Sequence, residues 1–320
     1  MPRFKRRTRI ILMILLLLLA AVGGWIYRSV YVSTGSALQR AESFLFSRMT
    51  VAQLGEQGGL RYFYVTNREK TEENDELRYR FGAQRGSSLK FGVFDTSIEP
   101  SVGLGMFINP SEWFQNEEIR IDRMEALQQE ELVEQVSSLV EASPQKSLLV
   151  VVHGFKEAFP SALRKTAFLG HVLDINSPVL LFDWPGNQGS SLRGYRRARN
   201  VAIESGADLA DALELIVRDI KPEKLWVIGN SMGGEVIVNA FSHLYQNPEF
   251  ADTDFEFENV ILTAPDVSHK EFDNQFKQEI MSMSRNLTVY VSSNDRALVM
   301  SRIVNRDPRR GESTLSPEML

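Results

Sequence analysis

The sequence predicts an α/β protein: a doubly wound, mostly parallel sheet preceded by an N-terminal transmembrane helix. Three observations lead there. Between residues 148 and 291, short continuous apolar runs alternate with longer amphipathic segments, the pattern of buried parallel strands joined by crossover helices. Residues 10–27 carry no charged side chain, whereas Arg3, Lys5, Arg6, Arg7 and Arg9 form a basic block just before them. The chain has 320 residues, 43% of them hydrophobic, with 19 Phe, 8 Tyr and 4 Trp, enough to bury a large core and to exclude disorder for the bulk of it.

The elements follow in order. Residues 1–30 read as a cytoplasmic basic tip and a signal anchor. Its 18 uncharged residues span roughly 27 Å as a helix, close to the hydrocarbon thickness of a bilayer. Trp25, Ile26 and Tyr27 continue the apolar run past the small residues Ala21, Val22 and Gly23, which favours an uncleaved anchor over a cleaved signal peptide. The basic excess ahead of the span keeps the N-terminus in the cytoplasm. The remainder is then expected on the exported side of the cytoplasmic membrane. Residues 31–58 read as a stalk with a short amphipathic helix near 37–48.

A globular domain is expected over 59–304. Strands are predicted at 60–66, 89–94 and 102–108, with a polar loop over 67–78. A helix is predicted at 125–142, where Leu132, Val136, Leu139 and Val140 recur at helical spacing. Strand 148–152, helix 162–173, strand 179–182, helix 199–220, strand 225–228, helix 233–245, strand 259–263, helix 270–283 and strand 287–291 complete the alternation. The tail at 305–320 is polar and irregular.

Composition excludes several chemistries. The 36 Lys+Arg against 41 Asp+Glu give a net charge of -5, and no basic stripe crosses the domain, so nucleic acid is not an expected partner. The chain has no Cys, which removes thiol nucleophiles, disulfides, Cys-based metal sites and lipid attachment through Cys. No phosphate-binding or dinucleotide fingerprint occurs, so no cofactor and no metal are expected.

The candidate chemistry centres on Gly229-Asn230-Ser231-Met232-Gly233, a G-x-S-x-G string. Alone the string is weak; its setting gives it weight. A buried strand leads directly in and an apolar helix directly out, the strand–turn–helix of a nucleophile elbow. Ser231 would then stand above a helix N-terminus, whose dipole favours a developing negative charge. His153-Gly154-Phe155 follows strand 148–152, and the loop at that place contributes a backbone donor to an oxyanion hole. The expected donors are Phe155 and Met232, with His153 shaping the loop. Two carboxylates follow later strands and could orient a histidine: Asp295, favoured by chain order, and Asp266 as the alternative. The basic cluster Arg193, Arg196, Arg197 and Arg199 suits either an anionic ligand or a plain solvated face.

LLVVVHGFKEAF, VLLFDWPGNQG, VIGNSMGG, LTAPDV and VYVSSNDRAL together resemble successive core motifs of bacterial α/β-hydrolases of unknown function, esterase- or lipase-like proteins with a Trp-Pro turn after the fourth strand. The resemblance covers about residues 60–311. It implies the α/β-hydrolase fold, a serine hydrolase of unknown substrate, Ser231 as nucleophile and Asp295 as triad acid; a small ester or lipid-like substrate is the expected partner. Gly186 follows Trp184-Pro185 where the family usually has Ser, and Ala198 stands where an Asp is common after Tyr195. The family also places its catalytic His beyond the acid, and none of the four histidines (153, 171, 243 and 269) lies past Asp295. Three readings follow: a shortened version of an active ancestor, a hydrolase fold kept for binding or scaffolding, or substitution by another His. The candidate substitute base is His269, three residues beyond Asp266.

Overall fold

The computed structural model describes residues 51–54, 59–71, 80–98, 119–173 and 176–291, with Met13 and Leu18 besides. The chain forms two compact units, Met1–Ser47 with Glu99–Glu118, and Arg48–Ile98 with Ile119–Leu320. The first lies outside the described residues apart from Met13 and Leu18. So do most of the expected span at 10–27, the strand expected at 102–108, Asp295 and the tail. Among the described residues no helix is long and apolar enough to cross a membrane.

The second unit is built on one sheet. Its strands are β1 (Gln53–Leu54), β2 (Gly59–Lys70), β3 (Phe81–Ile98), β4 (Ile119–Leu127), β5 (Ser147–Val152), β6 (Val179–Asp183), β7 (Lys224–Asn230), β8 (Asn259–Thr263) and β9 (Leu287–Tyr290). Their order is β4-β3-β2-β6-β5-β7-β8-β9, with β1 against the start of β2. From β2 to β9 every neighbouring pair is parallel, whereas β1/β2, β2/β3 and β3/β4 are antiparallel. The sheet is therefore mixed but mostly parallel.

The parallel core forms for the reason visible in its residues. All six residues of β5 and all five of β6 are buried, as continuous Val/Leu runs require. Helices cover both faces. Val150, Val152, Leu180, Phe182 and Val227 face a core shared with α1 (Gln129–Ala142), α3 (Leu192–Leu215, continued by a π-helical turn, Ile216–Ile220) and α4 (Gly233–Gln246). On the other face, Tyr64 packs edge-on against Phe159 of α2 (Phe159–Leu173) at 5.2 Å, and the Tyr62 hydroxyl donates to the Ala167 carbonyl at 2.9 Å.

Several boundaries differ from the sequence expectation. Residues 67–70 continue β2 instead of opening a loop, because the Arg68 side chain is drawn fully inside. β3 runs for 18 residues where six were expected; its polar first half pairs with the end of β2 through two register shifts. Residues 125–127 end β4, and the helix starts only at Gln129, behind a capping box of Gln128 and Glu131. α3 begins at Leu192, seven residues before the expected start. Ser191 caps it by accepting from the Gly194 N–H at 3.1 Å. The first half of its buried stripe consists of small residues (Gly194, Ala198, Ala202, Ser205, Gly206), which carry little hydrophobic signal.

Candidate active site

The strand order places the site. From β5 the chain crosses to β6 on one side, then returns over β5 to β7 and continues outward through β8 and β9. At that reversal the loops after β5 and β7 leave in opposite directions and open a crevice at the carboxyl ends of the strands. Val152 and Gly229 are register partners there, so Gly154 and Ser231 come out side by side. A Cβ on Gly154 would lie 3.0 Å from the Asn230 carbonyl oxygen and 3.3 Å from Ser231 Cβ.

Ser231 has φ 52°, in the left-handed region that L side chains rarely adopt. Its surroundings hold it there. The Ser231 N–H donates to the Thr263 carbonyl at 2.9 Å, and the Ser231 carbonyl accepts from the N–H groups of Gly234 and Asp266, both at 3.0 Å. Gly233 makes the turn sterically feasible. A Cβ there would stand 2.5 Å from the His153 carbonyl oxygen and 2.6 Å from that of Val152. Helix α4 thus starts directly on top of β5, with Met232 at its N-cap. Among the described residues, neither the Phe155 nor the Met232 N–H is given to a protein acceptor. Met232 is fully buried, and the Phe155 ring meets Tyr195 edge-on at 5.6 Å.

Beneath the loop that carries Phe155 lies a buried charge array that sequence reasoning missed. All five Arg68 N–H donors are used. Nε bonds Asp183 Oδ2 (2.7 Å), one terminal nitrogen bonds the Gly82 carbonyl (2.9 Å) and Asn187 Oδ1 (2.6 Å), and the other bonds the carbonyls of Glu157 (2.9 Å) and Trp184 (2.6 Å). Asp183 also accepts from the Thr66 hydroxyl at 2.5 Å, and its Oδ1 lies 3.0 Å from His153 Nε2. Burial is the largest influence on Asp183 and pushes its carboxyl up. The Arg68 charge and the His153 contact outweigh burial and leave it below the ordinary carboxylate range. The His153 ring stacks on Trp184 at 5.5 Å, and Trp184 Nε1 donates to the His153 carbonyl at 2.8 Å. His153 is thereby fixed as part of the loop's foundation. The available signal was a lone Asp directly ending the apolar run of β6, but its partners come from distant segments.

On the other side of the elbow, Asp266 is 3% exposed and accepts from the Tyr195 hydroxyl at 2.6 Å. Arg199 reaches Glu235 at 3.2 Å and Glu271 at 3.5 Å. Burial, the largest influence on Arg199, lowers its pKa, but Glu235, Glu271, Tyr195 and Asp266 together raise it above the ordinary value. His269 opens a short helix, α5 (His269–Glu271), and its Nδ1 lies 2.9 Å from Asp273 Oδ2. His243 is exposed on α4 and His171 half-buried near the end of α2. Asp266 thus joins Ser231 through the backbone; Asp295 lies outside the described residues.

Residues 128–318 match a family model described as an alpha/beta hydrolase of unknown function (DUF900). No curated protein matches the chain. The mostly parallel sheet, the reversal between β5 and β7 and the turn at Ser231 are the features that this match leads one to look for, and the match spans more than half of the sequence. The chain therefore belongs to this family of α/β-hydrolases.

Proposed function

We propose that this protein is a serine hydrolase of acyl esters, with Ser231 as its nucleophile. The observation that carries this reading is the left-handed Ser231, held beside Gly154 with two backbone donors, Phe155 and Met232, left unclaimed around it. In the proposed reaction the Ser231 hydroxyl attacks the ester carbonyl, and a base takes its proton. The two N–H groups, with the N-terminus of α4 behind them, hold the oxyanion. The intermediate collapses with loss of the alcohol, and water releases the acid. Asp295 is the proposed orienting acid, with Asp266 as the alternative and His269 as the candidate base.

A fluorophosphonate probe is expected to label the protein at a rate set by its base, because a serine hydroxyl without one is a poor nucleophile. The label should sit on Ser231 and vanish in Ser231→Ala. Loss of the signal in His269→Ala would identify that residue as the base. A second reading, a hydrolase fold retained for binding or scaffolding, is favoured by His153, which is committed to Asp183. Labelling no greater than that of Ser231→Ala at any pH would establish this second reading and overturn the first.

We also propose that residues 10–27 anchor the chain in the cytoplasmic membrane, with the hydrolase domain on the exported side. The uncharged run and the basic block ahead of it support this placement. A C-terminal alkaline phosphatase fusion should be active and a C-terminal GFP fusion dark; the reverse pattern would overturn it.

A further inference from the structure

We propose that the first three turns of α3 are a docking surface for an anionic lipid bilayer. Arg193, Arg196 and Arg197 would meet the phosphate headgroups, and Leu192 would enter the headgroup boundary. Exposed positions along this helix are 192, 193, 196, 197, 200, 203, 204 and 211; the first seven recur at the spacing of a single helix face, where three arginines stand ahead of one acid, Glu204. Leu192 is 56% exposed and Ile203 38%, so the face carries apolar as well as cationic side chains.

The three arginines have no carboxylate within ion-pair distance among the described residues. Among the described residues several other surface arginines are paired, Arg61 with Asp95, Arg85 with Asp208, Arg123 with Glu125, Arg218 with Glu214 and Arg285 with Glu256, whereas Arg120 reaches only the Ser97 hydroxyl. Nor do the three serve helix stability. They occupy the first two turns, where the macrodipole disfavours cations, and α3 has no acidic residue in its first turn. Its acids, Glu204, Asp208, Asp211 and Glu214, come later, so the charge runs against the dipole along the whole helix. The cluster is also a local exception in composition, because residues 10–320 hold 31 cationic against 41 acidic side chains.

A free phosphate or a nucleic-acid backbone would need only the arginines. The exposed Leu192 beside them favours a surface with an apolar interior under an anionic skin. Tyr195, in the midst of the cluster, bonds Asp266 and packs on Phe155. Docking would therefore bring the rim of the candidate site against the bilayer, where an acyl substrate resides. The inference rests on the proposed membrane placement of the chain, and its test separates the two.

The chain contains no Cys, so Leu192→Cys gives one labelling site for an environment-sensitive fluorophore on the full chain. In nanodiscs containing phosphatidylglycerol the label should brighten and shift to the blue, relative to phosphatidylcholine discs. The change should disappear in an Arg193→Gln/Arg196→Gln/Arg197→Gln background and at high salt. A label at Tyr245→Cys, exposed on α4, should not respond. If the chain fails to enter phosphatidylcholine discs, the anchor proposal falls, and docking is read by co-sedimentation with vesicles instead. Three arginines at the surface correspond there to roughly a hundredfold tighter partitioning onto phosphatidylglycerol vesicles. Equal signals on both lipids, a response that survives the triple substitution, or the same response to inorganic phosphate alone would overturn the docking surface.

Discussion

Arg68→Ala is expected to destabilise the sheet domain by about 3–5 kcal/mol, the cost of removing one partner from a buried ion pair. For a domain of this size that lowers Tm by roughly 10 °C. The Arg68–Asp183 pair is 0% exposed on both sides, so the lost charge leaves the Asp183 carboxylate without its cation in a site water does not reach. The damage extends beyond the pair, because the same guanidinium also satisfies the carbonyls of Gly82, Glu157 and Trp184. An apolar replacement of both partners, Arg68→Met with Asp183→Leu, should for that reason recover only part of the loss, although such swaps are often neutral for an isolated buried pair. Arg68→Lys keeps a charge but supplies at most three donors where five are used. Thermal melts of the single and double variants would measure this; a double variant as stable as the parent would mean that the carbonyl bonds contribute little.

The same array sets an acid limit. The folded-state pKa of Asp183 is depressed, so its contribution is fully present above the unfolded carboxyl value near 4 and is lost as pH falls through the lower folded value. Urea titrations taken downward from about pH 5 should show that loss in the parent and a shallower one in Asp183→Asn.

Gly233→Ala is expected to be the most disruptive single-methyl change at the elbow. The added Cβ would sit 2.5 Å from one backbone oxygen and 2.6 Å from another, and neither can swing away. Overpacking of this kind costs about 1–3 kcal/mol, and backbone contacts place it at the upper end. Relief requires α4 to lift off β5, which carries Ser231 and the Met232 N–H with it. Displacement by about 1 Å costs on the order of a hundredfold in reactions that depend on such alignment, so any labelling of Ser231 should fall by that factor. Gly229→Ala makes a useful contrast. Its nearest obstacle, at 2.4 Å, is the Cδ1 end of Ile237, which can change rotamer. The measurement is a paired comparison of melting temperature and probe labelling; equal effects of the two substitutions would show that the helix start yields more easily than the geometry implies.

The parallel half of the sheet was legible in the amino-acid sequence because a strand buried on both faces must be apolar throughout. Runs such as LLVVV and VLLF announce themselves without reference to anything distant. The strand–turn–helix around Ser231 was legible for a related reason: the strand, the glycines and the helix that shape it are contiguous in the chain. The antiparallel half was harder to read. β3 and β4 mix polar and apolar residues, and their extent depends on pairing with β2 rather than on their own composition. The early start of α3 was hidden likewise, since Gly194 and Ala198 are buried by close helix packing and not by hydrophobic bulk.

Only the tertiary structure decided the environment of the candidate site. Nothing local in Thr-Asn-Arg marks Arg68 as a fully buried cation, because the acceptors that make its burial tolerable come from β3, the loop after β5, the end of β6 and the turn beyond it. Tyr195 and Asp266, 71 residues apart, meet for the same reason. A buried polar group is stable only when every partner arrives with it. That condition belongs to the assembled fold, and no stretch of the chain states it alone.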